Sequence, residues 1–168
     1  MSRRPVNAPY TILKTKKGDV LIDTEDLDMV LSYNTWNISK RGAVVCYHET
    51  GPRSDRKRTV FKLHRVIMNA PIDKVVDHIN RDPTDNRKSN LRLCTTRENG
   101  KNLSKKKNNT SGIVGVMWDK ARNKWAAKIK VDYKSIHLGR FDSKDDAKLA
   151  RKKAEIKYFG AFAPGATK

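Results

Sequence analysis

Leu103–Gly112 reads LSKKKNNTSG, a run of lysine, asparagine, serine and glycine with no apolar face. Such a stretch buries nothing and cannot contribute a helix or strand to a shared core, so it reads as a tether between domains. The 168-residue chain is thereby cut into two pieces, neither long enough for a large core. A four-ligand structural zinc would compensate, but the only cysteines are Cys46 and Cys94, with no CxxC pair, so that site cannot be built. The two thiols could form one disulfide. Without a secretory signal they read instead as reduced groups. Packing alone must hold each piece.

Net charge narrows the partner. At +19, the chain needs a polyanion to screen it, and nucleic acid is the usual one. A membrane surface is the rival polyanion. No apolar run approaches the ~18 residues that span a bilayer, and no lipidation signal is present. The N-terminal MSRRPVNAPYTILKTKKGD lacks the apolar stretch of a secretory signal. A cytosolic protein without a membrane partner is expected. The charge is uneven: residues 1–75 carry a net +6, residues 76–100 a net +1 and residues 101–168 a net +12. The tail suits phosphate, and the near-neutral middle keeps the acidic groups that a cation site needs.

Local patterns place the elements. Asp19–Ile22 is a short apolar strand, and Thr24 can cap a helix on which Leu27, Val30 and Leu31 share a face. WNISKRGAVVCYHE predicts two strands about a turn at Lys40–Gly42, and GPRSDRKR a solvated loop. RTVFKLHRVIM runs from a strand into a short helix ending before Pro71. In VVDHINRDPTDNRKSNLRLCTTRENGKN, Val75 and Val76 begin a strand and Asn80–Asn86 is dense in turn formers. Leu91, Leu93 and Cys94 form a second apolar run, and Thr95 or Thr96 precedes Glu98 or Asn99 at a helix-starting spacing. Past the tether come strands over Val114–Trp118, Lys124–Val131 and Ser135–Leu138. In the second of these, Trp125, Ala127, Ile129 and Val131 face one way and Lys124, Ala126, Lys128 and Lys130 the other. Ser143 caps a final helix with Asp145 and Asp146 in its first turn, an Ala147, Ala150, Ala154, Tyr158 stripe, and Gly160 at its end.

Chemistry concentrates between the two middle strands. Hydrolysing a phosphodiester needs a base for water, a cation for the developing charge, and groups that orient both. Asp77, His78, Asn80, Asn86, Asn90 and Asn99 gather here. Asp77 offers a hard oxygen and His78 an imidazole that exchanges protons near neutral pH. Neighbours on a strand point to opposite faces, so the two serve one site only where the strand bends or ends. Taken alone, Asp-His is a common dipeptide and the asparagines could merely cap turns.

The ordered elements LHRVIM, VVDHIN, DNRKSNLRLCT and EN, over residues 60–102, resemble the HNH nuclease family in the branch typical of phage-borne homing endonucleases. The resemblance implies a ββα-metal motif. His78 would be the general base, and Asp77 and Asn99 would bind one divalent ion, Mg²⁺ or alternatively Mn²⁺. Asn90 would orient His78 or brace the loop. Arg81 stands where the family often has Gly, and Asn99 where many relatives have His, which disfavours softer metals such as zinc. His64 could contact phosphate or metal, or be a structural imidazole, and is left out of the metal set. His48 and His137 read as solvated or strand-face residues.

GVMW, KWAAKI, HLGRF, the alanine-spaced helix and a closing FG make the segment after the tether similar to the AP2 DNA-binding domain. That family reads the major groove with a three-stranded sheet backed by a helix. The implied contacts are Trp118, Lys120, Arg122, Lys124, Trp125, Lys128, Lys130 and Arg140. A ribbon of alternating lysines suits a groove about 12 Å wide. The alternative is that the lysines are merely solvated and the tryptophans belong to the sheet–helix core. Arg151 and Lys152 replace the family's usual Tyr-Asp and are expected to raise the helix charge more than change the fold.

These readings predict an α+β protein. Residues 1–102 form a small mixed N-terminal region with the HNH motif (core 60–102), residues 103–111 a linker, and residues 112–168 an AP2-like antiparallel sheet packed on one helix. The expected function is metal-dependent cleavage of double-stranded DNA by a monomer in the cytoplasm, that of the host cell if phage-encoded. The rival is a DNA-binding regulator whose HNH-like segment only packs. RNA binding draws on charge alone and lacks a stacking platform.

Overall fold

The structure, a computed structural model, describes residues 9–102 and 109–164. The chain falls into two compact units, Met1–Asn99 and Gly100–Lys168. Residues 103–108, most of the expected linker, lie outside the described residues.

The first unit opens with a hairpin of β1 (Tyr10–Thr15) and β2 (Gly18–Asp23), paired in register from Tyr10↔Asp23 to Thr15↔Gly18. Strand β1 carries no clear signal in the sequence, because Ile12 and Leu13 are adjacent and Ile12 is half exposed. A 3₁₀ turn over Thr24–Asp26 leads into α1 (Leu27–Leu31). Asp23, not Thr24, stands at the N-cap of that turn. Of the face expected for Leu27, Val30 and Leu31, Val30 is fully buried and Leu27 packs on the same core, but Leu31 is exposed. Next come β3 (Trp36–Ile38), β4 (Val44–Thr50) and β5 (Lys57–Lys62), an antiparallel sheet in that order. Strand β5 runs directly into α2 (Leu63–Ile67). The unit closes with β6 (Val75–His78), β7 (Leu91–Cys94) and α3 (Thr96–Asn99).

One apolar cluster joins these pieces: Val20 and Ile22 from β2, Val30 from α1, Trp36, Val44 and Cys46 from the sheet, Leu63 and Ile67 from α2, and Val76 and Leu91 from the final strands. Each fully buried aliphatic side chain stabilises by about 1.5–3 kcal/mol. The β-loop-β-helix segment alone supplies only two of these residues, so the N-terminal region completes its core. The cysteines are free buried thiols, and burial pushes the Cys94 thiol above its ordinary value.

The second unit is an antiparallel sheet in the order β10-β9-β8, made of β8 (Val116–Asp119), β9 (Lys124–Val131) and β10 (Lys134–Phe141), with α4 (Lys144–Phe159) on one face. Ser143 caps α4 through Oγ, which accepts from Asp145 N. The described end of the expected linker is structured. Ser111 is buried and donates to Val116 O at 2.6 Å, while Gly112 N donates to Asn109 Oδ1.

Arg151 does more than add charge. It is 7% exposed, and its Nη1 donates to Lys128 O at 2.6 Å while Nε pairs with Glu155. The guanidinium therefore ties α4 to the backbone of β9. Gly115, at φ +75°, makes room for it: a Cβ there would overlap the Lys128 carbonyl oxygen and sit 2.6 Å from Arg151 Nη1.

Candidate active site

Strands β6 and β7 pair antiparallel, with Val75 opposite Cys94, Asp77 opposite Arg92 and His78 opposite Leu91. Helix α3 packs against both. Its start is a reciprocal capping box: Thr95 N and Oγ1 both donate to Glu98 Oε2, and Glu98 N donates to Thr95 Oγ1. That settles which threonine caps the helix, and it sets Asn99 half-buried on the last turn.

Strand alternation separates Asp77 from His78. The Asp77 carboxylate is buried and takes two hydrogen bonds at Oδ2 from Arg92, Nε at 2.9 Å and Nη2 at 2.6 Å. His78, at the strand end, lies against His64 of α2, the ring centroids 5.2 Å apart and nearly perpendicular. Its Nε2 is 3.3 Å from Oδ1 of Asn86, which is wholly buried. Burial pushes His78 below its ordinary value. The hydrogen bond to Asn86 and the charges of Asp77, Asp82 and Asp85 oppose that shift without cancelling it. His64 is pushed down to about 4, chiefly by burial and then by the neighbouring imidazole. Its Nδ1 is buried and meets no hydrogen-bond partner among the described residues. Near neutral pH both rings are uncharged, and His78 can accept a proton.

Polar side chains hold the loop between the strands. Asn90 accepts from Asn80 N, and its Nδ2 donates to Asn80 Oδ1 and to Asp85 O. Asp82 Oδ1 caps Thr84. Asp85 accepts from both Arg87 and Asn80, and Arg87 holds its carboxyl below the usual range. These contacts of Asn90 are with Asn80 and Asp85 of the same loop. Arg81 adopts φ +65°, a left-handed conformation that a glycine would take without strain. The loop is also tied to the N-terminal hairpin. Leu21 N donates to Thr84 O at 2.9 Å and Asn86 N to Leu21 O at 2.8 Å. Asp23 accepts from Lys88 N, and Lys88 Nζ pairs with Glu25 and Asp26, which raises its affinity for the proton.

From β4 through α3, residues 44–101 match a protein family described as HNH endonuclease. The first unit contains an HNH endonuclease domain. Protein 3.8 of Escherichia phage T7 is 38% identical to this chain over 68 residues, which is 39% of this chain and 56% of that protein, so the match spans little more than half the relative. The HNH domain takes in His64, Asp77, His78, Asn90 and Asn99, and Asn86 lies within it too. Sequence reasoning gathered Asn86 with the other polar residues of this segment but gave it no role of its own. Its eight-residue separation from His78 gave no hint of contact across the loop.

In the second unit the sheet has two unlike faces. Register puts Trp118 beside Trp125 and Val116 beside Ala127, and Trp125 packs on the cluster that includes Ala147 of α4. Both tryptophans therefore lie on the helix side, their rings 5.2 Å apart and Trp118 at the margin, 41% exposed. The opposite face carries Lys124, Lys128, Lys130 and Arg140. Arg140 Nε donates to Asp119 Oδ2 at 2.8 Å, which holds that carboxyl below its usual range. Lys120 and Arg122 occupy the exposed β8–β9 turn. No helix among the described residues is long and apolar enough to cross a membrane.

Proposed function

We propose that the protein is a metal-dependent endonuclease of homing type that hydrolyses phosphodiester bonds in double-stranded DNA, with the second unit as an AP2-like docking module. The observation that carries this reading is His78. It is an uncharged imidazole held at the end of β6, inside the HNH domain, by a loop with a dense set of hydrogen bonds. A neutral imidazole so placed can take the proton of an attacking water, a role worth about 10²–10⁴ in rate. Asn90 keeps the loop in shape.

Asp77 and Asn99 would hold one divalent ion, Mg²⁺ before Mn²⁺. Asp77 and Asn99 are hard oxygen donors on elements that pack together, and such ions take their remaining ligands from water and phosphate. When bound, the ion stabilises charge on the phosphate and leaving oxygen. Asp77 must then share its carboxylate with Arg92 or release it. DNA would meet the second unit on the face opposite α4, through Lys124, Lys128, Lys130 and Arg140, with Lys120 and Arg122 in the adjoining turn. Trp118 and Trp125 lie on the helix side, so packing is the role we assign them. Phosphate contacts would position the duplex and Arg140 would read a base edge. The chain would act as a monomer in the cytoplasm.

The Arg92–Asp77 pair favours one rival, a DNA-binding regulator in which the HNH domain only packs. Incubating supercoiled plasmid with the protein and Mg²⁺, with and without EDTA, separates the two. Cleavage that EDTA abolishes is expected. Tight duplex binding with intact plasmid under every metal tried would establish the regulator.

A further inference from the structure

Asn86 is the one wholly buried polar side chain of the loop, and no role for it comes from the family resemblance. Its amide is oriented by two contacts. Nδ2 donates to Pro83 O at 3.0 Å, which turns Oδ1 toward His78 Nε2 at 3.3 Å. The flipped amide would set its carbonyl against the carbonyl of Pro83, so the orientation is determined. A carbonyl oxygen only accepts. The ring nitrogen facing it must therefore donate, and the neutral imidazole carries its proton on Nε2.

We propose that Asn86 is a positioning residue for His78: it fixes the rotation of the ring and keeps the proton on Nε2, so that Nδ1 holds the lone pair. The inference rests on the reading of His78 as the base. The brace is rigid because its own backbone is anchored. Asn86 N donates to Leu21 O, and Leu21 N donates to Thr84 O, which sets the loop against β2. His64 confines the ring from another direction through the perpendicular contact. A base whose lone pair wanders must be reoriented before each turnover, which slows the chemical step without weakening DNA binding.

The test uses the full chain with ¹⁵N-labelled histidine, in EDTA and without DNA, at pH 8. The His78 signals are assigned by their loss in His78→Ala. The expected spectrum shows a neutral ring protonated at Nε2 with an N–H slow enough in exchange to be seen. In Asn86→Ala that N–H should vanish into exchange with water, and in Asn86→Asp, which keeps the oxygen, it should persist. With Mg²⁺ and plasmid, kcat of Asn86→Ala should fall about 10–100-fold, less than loss of the base itself, with KM within about twofold. Asn86→Asp should retain more of the rate. A wild-type proton on Nδ1, or a protected N–H that survives in Asn86→Ala, overturns the proposal. If Asn86→Ala does not fold, the wild-type spectrum and Asn86→Asp decide: loss of the N–H in a folded Asn86→Asp protein overturns it equally. An anchored Nε2–H beside an uncut plasmid would instead sink the nuclease reading and leave the ring assignment standing.

Discussion

Arg92→Met removes the guanidinium beside Asp77 and keeps most of the aliphatic stem. Two hydrogen bonds to Asp77 Oδ2, at 2.9 and 2.6 Å, go with it. Both side chains are only 9% exposed, so water cannot take over the role of the lost cation. Stranding one partner of a buried pair costs about 3–5 kcal/mol, far above the ~0–1 kcal/mol of an exposed pair. In a unit of about 100 residues each kcal/mol lowers Tm by roughly 4–8 °C, so a fall of at least about 12 °C is expected for the first unit. Urea unfolding can follow Trp36 alone if Trp118 and Trp125 of the second unit are replaced by Phe in reference and variant alike. Asp77→Asn combined with Arg92→Met should recover more than half of the loss, because no charge is then left behind. A single-variant loss below about 1 kcal/mol, or a double variant no more stable than the single, would refute the claim that burial makes this pair costly to break.

Four further outcomes are expected. His78→Ala should abolish metal-dependent plasmid cleavage while duplex affinity, read by gel shift, stays within a few fold, since a neutral imidazole adds no charge to binding. Asp77→Asn or Asn99→Ala should raise the Mg²⁺ concentration needed for half-maximal cleavage, and an unchanged titration in both would place the ion elsewhere. His64 stays neutral in the fold down to about pH 4, whereas the unfolded chain takes up the proton near 6.5; the stability it contributes above pH 6.5, about 3 kcal/mol, should be lost as pH falls toward 4, and His64→Phe should flatten that part of the pH profile. Gly115→Ala should cost the second unit more than about 2 kcal/mol in urea, because the new methyl group meets a carbonyl and the Arg151 guanidinium at a left-handed φ.

Elements with strong local signals were legible in the sequence. Strand β9 alternates cleanly from Lys124 to Val131, and Ser143 and Gly160 bracket α4, so the structure follows the expectation closely there. Strand β1 was not legible, because its neighbour across the hairpin rather than its own pattern keeps it extended. Arg151 misled for a related reason: charge on a helix usually means solvent, and nothing in its neighbours reveals a carbonyl waiting 23 residues upstream. At the candidate site the sequence pointed to a segment that falls within the HNH family match. It could not show that Arg92 holds Asp77, because cross-strand pairing depends on register, or that Asn86 rather than Asn90 reaches the imidazole.

The attachment of the Thr84–Asn86 loop to Leu21 joins positions more than sixty residues apart. Closing so long a loop costs entropy that only the completed core repays. The loop beside His78 is therefore expected in the late-forming part of the first unit. A nascent chain still missing β7 and Leu91 carries His78 without the frame that aims it. Whatever reaction this histidine performs, the ability to perform it arrives with the end of folding and not with synthesis of the residue.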